Sequence, residues 1–192
     1  MGMDEVFVYL VENYYMKGDA FWLNNDELTR YTDRAMKIAP NVIGNLAPQV
    51  KLPNVVTKKE EDLLVNFKAR YTLLIFYSPN CGHCQKELPE IDSLYKAVLK
   101  DKGVKVFTVS TEGSEQSIND FITKNNLTDW TNTWDPEHIG DWRGKYDVYS
   151  TPTIYLLNEK KIIKGKRLDH SNIAGLLDMI EKKEKAEKKT KS

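Results

Sequence analysis

The chain has 192 residues, enough for one sizeable domain with a buried core or for a domain with an appendage. Its 28 Lys and Arg residues balance its 28 Asp and Glu residues, so the overall charge favours neither nucleic acid nor a membrane surface as a partner, and another protein is expected instead. The sequence shows no stretch typical of a transmembrane helix, and its N-terminus lacks the basic leader and small-residue cleavage site of a signal peptide.

Residues 1–43 have a helical pattern. The apolar run from Val6 to Val11 predicts a first helix, and the segment from Asn24 to Glu27 predicts the cap of a second. Two short helices cannot bury their apolar faces alone, so this segment either packs on the domain that follows or is the end of a truncated helical domain. The pattern favours the truncated domain, and it predicts that Phe21 and Trp22 are packing residues.

Residues 44–182 alternate between strand and helix patterns, which predicts an α/β domain. The apolar run from Tyr71 to Tyr77 is typical of a strand buried on both faces. Ser78, Pro79 and Asn80 end this strand, and a helix is expected to begin near Cys81.

The later elements follow in the same alternation. We expect a strand at 104–110, a helix capped by Ser114, a short strand at 130–134, a helix that contains Ile139, Trp142 and Tyr146, a strand at 154–157, a hairpin through 158–160, and a final helix with Ile173, Leu176, Leu177 and Ile180 on its apolar face. Residues 183–192 are expected to be a charged tail, as a frayed helix end exposed to solvent.

The only two cysteines, Cys81 and Cys84, lie two residues apart in the sequence Cys-Gly-His-Cys. At the start of a helix they share one face, close enough to form a disulfide with little backbone movement. A thiol at a helix N-terminus has a lowered pKa, which predicts that Cys81 is the nucleophile and that Cys84, one turn further in, is the resolving thiol. A protonated His83 would favour the Cys81 thiolate and make the disulfide more oxidising than Gly-Pro would.

This strand, cysteine pair and helix resemble the active site of the thioredoxin superfamily, with the Gly-His pair found in protein disulfide isomerases. Pro89 matches the proline that kinks the active-site helix of that superfamily, and Thr151-Pro152 matches its cis-proline turn. The resemblance implies a thioredoxin fold, which is a central mixed sheet flanked by helices, here with a short helical N-terminal segment. It also implies that Thr151 and Pro152, together with Pro79, form the substrate-binding edge.

Within the superfamily the chain is similar to the TlpA/ResA-type bacterial thiol-disulfide oxidoreductases, which have an AhpC/TSA-like domain. The segment from Gly44 to Pro53 resembles the entry segment of that branch, and the run from Cys84 to Pro89 resembles its Cys-x-x-Glu-x-Pro pattern. Glu87 shares a helix face with Cys84 and is either its proton acceptor or a solvated glutamate. Ile75 stands where thioredoxins carry a buried aspartate, so Glu87 is the nearby carboxylate in the local sequence.

The resemblance implies protein thiol or disulfide substrates and a redox partner protein, with a membrane electron donor among the candidates. It suggests a location in the bacterial cell envelope or periplasm. It favours a reductase, whereas Gly82 and His83 favour an oxidant or isomerase. No cofactor is expected besides the redox-active Cys81-Cys84 disulfide.

Three alternatives compete with this interpretation. A thiol peroxidase would share the fold, but Ser78 stands where that family has a threonine three residues before its cysteine. A non-catalytic interaction module would use the aromatic N-terminal segment and leave the thiols without a role. A zinc site would use Cys81, His83 and Cys84, but structural zinc needs four ligands, and His138 and His170 are more typical of surface residues, so we expect no metal.

Overall fold

The computed structural model describes residues 3–137 and 140–190. Within these ranges the chain forms six α-helices and seven β-strands. In chain order they are α1 (Asp4–Asn13), α2 (Asn25–Ile38), β1 (Lys51–Pro53), β2 (Glu60–Asp62), β3 (Tyr71–Tyr77), α3 (Gly82–Leu94), β4 (Val104–Ser110), α4 (Glu115–Lys124), β5 (Thr131–Trp134), α5 (Trp142–Lys145), β6 (Thr153–Asn158), β7 (Ile163–Lys166) and α6 (His170–Thr190). None of these helices has the length and apolar composition needed to cross a bilayer.

Five of the strands form one mixed sheet in the order β5-β4-β3-β6-β7, so the predicted α/β fold with a central mixed sheet is confirmed. Strand β3 pairs in parallel with β4 and antiparallel with β6. All seven residues of β3 are buried, as its continuous apolar run predicts. Strands β1 and β2 form a separate two-stranded sheet that the sequence pattern does not predict.

Alternate side chains of β3 belong to two different apolar clusters, because successive residues of a strand point to opposite faces. Leu73 and Ile75 lie in the cluster that also holds Cys84, together with side chains of α3, α4 and α6. Leu74 and Phe76 lie in the other cluster, with the residues around α5. Helix α3 is therefore fixed on one face of the sheet by the same strand that leads into it.

The expected helix after Pro136 is shorter in the structure. Only the single turn α5 is helical, and Tyr146 follows it as the C-terminal cap. Asp135 accepts hydrogen bonds from the Gly140 N–H at 2.9 Å and from Trp142 Nε1 at 3.0 Å. These contacts tie down the chain before α5, and Ile139 lies outside the described residues.

The end of the chain is more ordered than the expected frayed tail. Helix α6 continues to Thr190, and Glu184 on this extension accepts a hydrogen bond of 2.8 Å from the Tyr71 hydroxyl. Lys102 and Arg70 pair with Glu181 one turn earlier, at 2.7 and 3.0 Å. These partners, which lie far away in the sequence, anchor the helix as far as Glu184.

The N-terminal segment forms a helical hairpin whose second helix has the predicted cap. The Asn24 side chain accepts the Glu27 N–H at 2.9 Å, and Glu27 accepts the Asn24 N–H at 3.1 Å, so the two residues form a capping box. The hairpin packs on the α/β domain through polar contacts, including a 2.6 Å ion pair between Asp4 and Lys166. Phe21 and Trp22 are not packing residues, since they are 88% and 62% exposed.

Lys161, in the turn between β6 and β7, is buried at the end of the sheet opposite the cysteines. Its Nζ donates a 2.8 Å hydrogen bond to Thr72 Oγ1 and lies 5.0 Å from the centre of the Phe67 ring. Burial, with smaller contributions from the positive charges of Lys68 and Lys105, lowers the pKa of Lys161 to about 8.

We therefore expect Lys161→Met to raise the free energy of unfolding at about pH 7 by on the order of 1–2 kcal/mol, since the cost of burying the charge is removed. The ordinary pKa is 10.5, so between about 8 and 10.5 the folded wild type binds fewer protons than the unfolded chain and gains stability as the pH rises. Denaturant unfolding at several pH values should show the advantage of the variant shrinking across this window. Exposed Lys160→Met is the control, and a constant difference would contradict the prediction.

Candidate active site

Cys81 is the N-terminal cap of α3, as predicted, directly after the loop that ends β3. Its N–H donates a 3.2 Å hydrogen bond to the Ser78 carbonyl, and its own carbonyl accepts the Gln85 N–H at 3.1 Å. The Gln85 side chain donates back to the Pro79 carbonyl at 3.1 Å. These bonds hold the cysteine at the turn between strand and helix.

Buried contacts hold the loop before Cys81, and they affect the predicted role of Pro79. The Ser78 hydroxyl is buried, accepts the Asn80 N–H at 3.1 Å and donates to the Glu112 carboxylate. Pro79 is also buried, and a Cβ at Gly113 would lie 2.9 Å from its ring. The expected substrate contact through Pro79 is therefore not available, because the ring packs against the next loop.

The peptide bond between Thr151 and Pro152 is cis, and it lies beside the first cysteine. Cys81 Sγ donates a hydrogen bond of 3.2 Å to the Thr151 carbonyl, although the two residues are 70 positions apart. Both Thr151 and Pro152 remain partly exposed. The fold thus brings the predicted turn and the predicted nucleophile together at an accessible edge.

The environment of Cys81 favours its ionised form. Its partial burial would raise the pKa, but hydrogen bonds with the Thr151 side chain, the Cys84 N–H and thiol, and the His83 N–H together hold the pKa below its ordinary value. The hydrogen bond to the Thr151 carbonyl acts in the other direction, because a thiol can donate to that oxygen and a thiolate cannot. The groups that stabilise the thiolate outnumber the single carbonyl that favours the thiol, so the pKa of Cys81 is lowered.

Cys84 has the opposite character. It is fully buried in the cluster with Ile75, and burial raises its pKa to about 12, although hydrogen bonds with the Ser78 backbone and the Thr151 side chain act against the increase. The two thiols of one helical turn therefore differ in both exposure and ease of ionisation, in the direction that the sequence predicts.

Glu87 is not a solvated glutamate. Its side chain is 8% exposed, and its carboxylate accepts the backbone N–H of His170 at 2.6 Å. The ring Nδ1 of His170 also lies 3.0 and 2.9 Å from the two carboxylate oxygens. The sequence gives no signal for this pair, because the two residues are 83 positions apart and belong to different helices.

His83 is exposed on the first turn of α3. Its backbone N–H contributes to the low pKa of Cys81, as described above, whereas its side chain lines two adjoining depressions of the surface. The predicted role of a charged His83 ring in favouring the thiolate remains a prediction.

Two depressions meet at His83 and Glu87. The cis-proline cleft has a volume of about 310 Å³ and is lined by these two residues together with Tyr149, Ser150, Thr151, Pro152, Thr153, Arg167, Leu168 and Asp169. The helix groove has a volume of about 820 Å³ and is lined by the two residues with Gly82, Gln85, Lys86, Pro89, Glu90 and His170. The cleft is the depression that contains the predicted substrate-binding turn.

The cis-proline turn is braced from the N-terminal hairpin. Arg34 on α2 makes two hydrogen bonds to the Asp147 carboxylate, at 2.6 and 2.8 Å, and Arg167 binds the same carboxylate at 2.7 Å. The Arg167 guanidinium also lies 5.0 Å from the centre of the Tyr149 ring. A bidentate contact between an arginine and a carboxylate fixes their orientation as well as their distance. The hairpin therefore helps to place the segment just before Thr151.

In the part of the chain that the structure describes, no three His, Cys, Asp or Glu side chains are arranged to hold a metal ion. His170 is engaged by Glu87, and His138 lies outside the described residues.

The model of the AhpC/TSA family matches residues 43–166, more than half of the sequence. The chain belongs to the AhpC/TSA family. Sporulation thiol-disulfide oxidoreductase A of Bacillus subtilis is 35% identical to it over 114 residues, which cover 58% of this chain and 67% of the relative. The thiol-disulfide oxidoreductase ResA of Oceanobacillus iheyensis is 27% identical over 131 residues, which cover 64% of this chain and 65% of the relative.

Among solved structures, a domain of a "possible thiol-disulfide isomerase" from Cytophaga hutchinsonii superposes with a TM-score of 0.71 at 30% identity, over 77% of this chain and 99% of that one. The family match, the named relatives and this solved structure confirm the predicted thioredoxin fold and the resemblance to TlpA/ResA-type oxidoreductases. The chain is thus a thioredoxin-like oxidoreductase by class. It spans about half to two thirds of the length of the curated relatives it matches.

The hydrogen bond from the Thr151 side chain leads to a first test of the site. Thr151→Val keeps the branched shape but removes the hydroxyl, so we expect the pKa of Cys81 to rise. Alkylation by iodoacetamide at about pH 7 should slow about 5-fold, since one hydrogen bond is worth about 1 kcal/mol. The pH dependence of the alkylation rate measures both effects.

Ser150→Ala, which changes an exposed neighbour, is the matched control for this test. An alkylation profile of Thr151→Val that coincides with that of the wild type would show that the hydroxyl does not stabilise the thiolate.

Proposed function

We propose that the protein catalyses thiol-disulfide exchange on protein substrates through the redox pair of Cys81 and Cys84. The observation that carries this proposal is the position of Cys81 Sγ at the N-terminus of α3, 3.2 Å from the Thr151 carbonyl at the cis-proline turn. A low-pKa thiol at an accessible edge can attack a disulfide, and a buried thiol one turn away can complete the exchange.

In the proposed reductive direction the Cys81 thiolate attacks a substrate disulfide, forms a mixed disulfide and releases the first substrate thiolate. Cys84 then loses its proton to Glu87 and attacks the Cys81 sulfur. The bond between Cys81 and the substrate breaks, so the Cys81-Cys84 disulfide forms and the substrate has gained an electron pair and, with solvent protons, becomes a dithiol. Burial of Cys84 makes a nearby proton acceptor necessary, which supports a role for Glu87.

The proposed substrate is an extended segment of protein that lies along Thr151 and Pro152. A partly exposed backbone beside the reactive sulfur can pair with such a segment, as in the addition of a strand to a sheet edge. The cis-proline cleft of about 310 Å³ would receive a side chain next to the substrate cysteine, with Tyr149 and Arg167 among its lining residues.

The proposed partner of the oxidised protein is a second redox protein, with a membrane electron donor as the candidate for a reductive pathway. The Cys81-Cys84 pair itself would carry the electrons, as a dithiol when it is reduced, so no further cofactor is part of the proposal. A location in the cell envelope or periplasm follows from the resemblance to TlpA/ResA-type proteins. The measured reduction potential, compared with that of the compartment, would decide between reduction, oxidation and isomerisation.

We expect Cys81→Ser to abolish dithiol-driven reduction of insulin, because the remaining thiol, Cys84, is buried and has a raised pKa. Cys84→Ser should instead accumulate a mixed disulfide between Cys81 and the substrate, since the resolving thiol is missing. Turbidity of the insulin chains measures the first result, and mass spectrometry of the trapped species measures the second.

Full activity in Cys81→Ser would refute the assignment of the nucleophile. Rapid consumption of a hydroperoxide by the wild type, without insulin reduction, would favour the thiol peroxidase alternative.

His83→Gln tests the predicted influence of the histidine ring on the disulfide, because it keeps the backbone N–H of residue 83. Because His83 is expected to favour the thiolate, the variant should have a more negative reduction potential than the wild type. A loss of about 1.4 kcal/mol of stabilisation corresponds to about 30 mV. Equilibration with glutathione buffers of known potential gives the value for each form.

The matched control is Lys86→Gln, which alters another exposed charge on the same helix. A potential for His83→Gln that equals or exceeds that of the wild type would exclude the proposed effect.

A further inference from the structure

The Glu87 carboxylate lies between the active-site helix and the N-terminus of α6. It accepts the first N–H of α6, from His170, at 2.6 Å, and it contacts the His170 ring through both oxygens. A carboxylate at a helix N-terminus is stabilised by the unpaired N–H groups and the helix dipole. Glu87 is largely shut off from solvent, with 8% of its side chain exposed.

His170 connects this buried carboxylate to water. Its side chain is 46% exposed and lines the helix groove, whose volume is about 820 Å³. Nδ1 faces Glu87, and Nε2 makes no hydrogen bond within the described residues. A neutral imidazole can take a proton at one nitrogen and release one from the other, which is the property that a proton relay requires.

Glu87 also borders the cis-proline cleft. Thr151 lines the same cleft, and the Thr151 carbonyl accepts a hydrogen bond of 3.2 Å from Cys81 Sγ. The other carboxylate of the cleft, Asp169, is already bound by the N–H of Ser171 at 2.9 Å and by its hydroxyl. Glu87 is thus the carboxylate that lines the cleft and also contacts an exposed imidazole.

We propose that His170 relays protons between the Glu87 carboxylate and solvent while Cys84 resolves the mixed disulfide. This inference rests on the proposed function and adds a residue to it. After Glu87 has taken the proton of Cys84, Nδ1 of His170 accepts that proton from the carboxylic acid and Nε2 releases a proton to water. The carboxylate is then restored, and no electrons move in this step.

The groups around His170 determine how the relay depends on pH. They are Glu87, Glu90, His83 and Lys86 of α3 and Asp169 from the loop before α6. The hydrogen bond to Glu87, followed by the charges of Glu87, Glu90 and Asp169, raises the pKa of His170 from its ordinary value. An imidazolium cannot accept a proton, so the resolving step should become faster as the pH rises through the pKa of His170.

The test uses the full chain with a chromophoric aromatic thiol attached to Cys81 as a mixed disulfide. Stopped-flow absorbance follows release of this thiol by Cys84 over a range of pH. In His170→Asn the amide can still donate to Glu87 but cannot relay a proton. We expect release to be about 10-fold slower or more, in line with the loss of a general acid-base step, and the pH inflection of His170 to disappear.

Two further variants separate a relay from a purely structural contact. In His170→Ala, added imidazole should restore the rate in proportion to the concentration of its neutral form. In Glu90→Gln the relay is kept, but the inflection should move to lower pH because one negative charge near His170 is removed. Lys182→Gln, on an exposed position of the same helix, should leave both rate and profile unchanged.

The possible outcomes distinguish the relay from the function on which it rests. If Cys84→Ser releases the chromophore as fast as the wild type, the resolving role of Cys84 is wrong. If release requires Cys84 but His170→Asn matches the wild type in rate and pH profile, or imidazole does not restore His170→Ala, the relay is overturned and the exchange mechanism stands.

Discussion

The pairing of β3 with β6 decides where the reactive sulfur lies. Phe76 is opposite Thr153 in this antiparallel pair, so the loop that leaves β3 toward Cys81 and the turn that enters β6 through Thr151 and Pro152 lie at the same edge of the sheet. A shift of one residue in this register would send every side chain of β3 to the opposite face. Burial of all of β3 holds the register, and the contact between Cys81 and Thr151 depends on it.

The two thiols of one helical turn differ in exposure and in pKa, because Cys81 lies at the surface of the domain and Cys84 lies in its interior. Cys81 lies at the rim, where backbone N–H groups and a hydroxyl stabilise a negative charge. Cys84 lies in the apolar cluster beside Ile75, where a negative charge is costly. The difference follows from their places on α3 and supports the proposed order of attack and resolution. Glu87, one turn further on, is a buried carboxylate that contacts the exposed His170 ring.

The sequence predicts the parts of the site that depend on local pattern. The buried strand, the helix that starts at Cys81, the capping box at Asn24 and the proline turn at Pro152 each have a signature within a few residues. Contacts between distant segments have no such signature.

The pair of Glu87 with His170 illustrates this limit, because a histidine at a helix start shows no preference for a particular carboxylate. The same holds for Lys161, which its turn position suggests is exposed but which the Thr72 hydroxyl and the Phe67 ring enclose. Only the packing of whole elements determines these neighbours.

The hydrogen bonds between Arg34 and Asp147 join the N-terminal hairpin to the segment before the cis-proline turn. The family match begins at residue 43. Arg34 lies before that boundary, and it binds Asp147 in the segment that leads to Thr151. A fragment cut at the family boundary would lose both Arg34 hydrogen bonds and leave Asp147 with Arg167 as the arginine that still binds it. The helical hairpin therefore belongs to the scaffold of the cis-proline turn, although it lies almost entirely outside the family match.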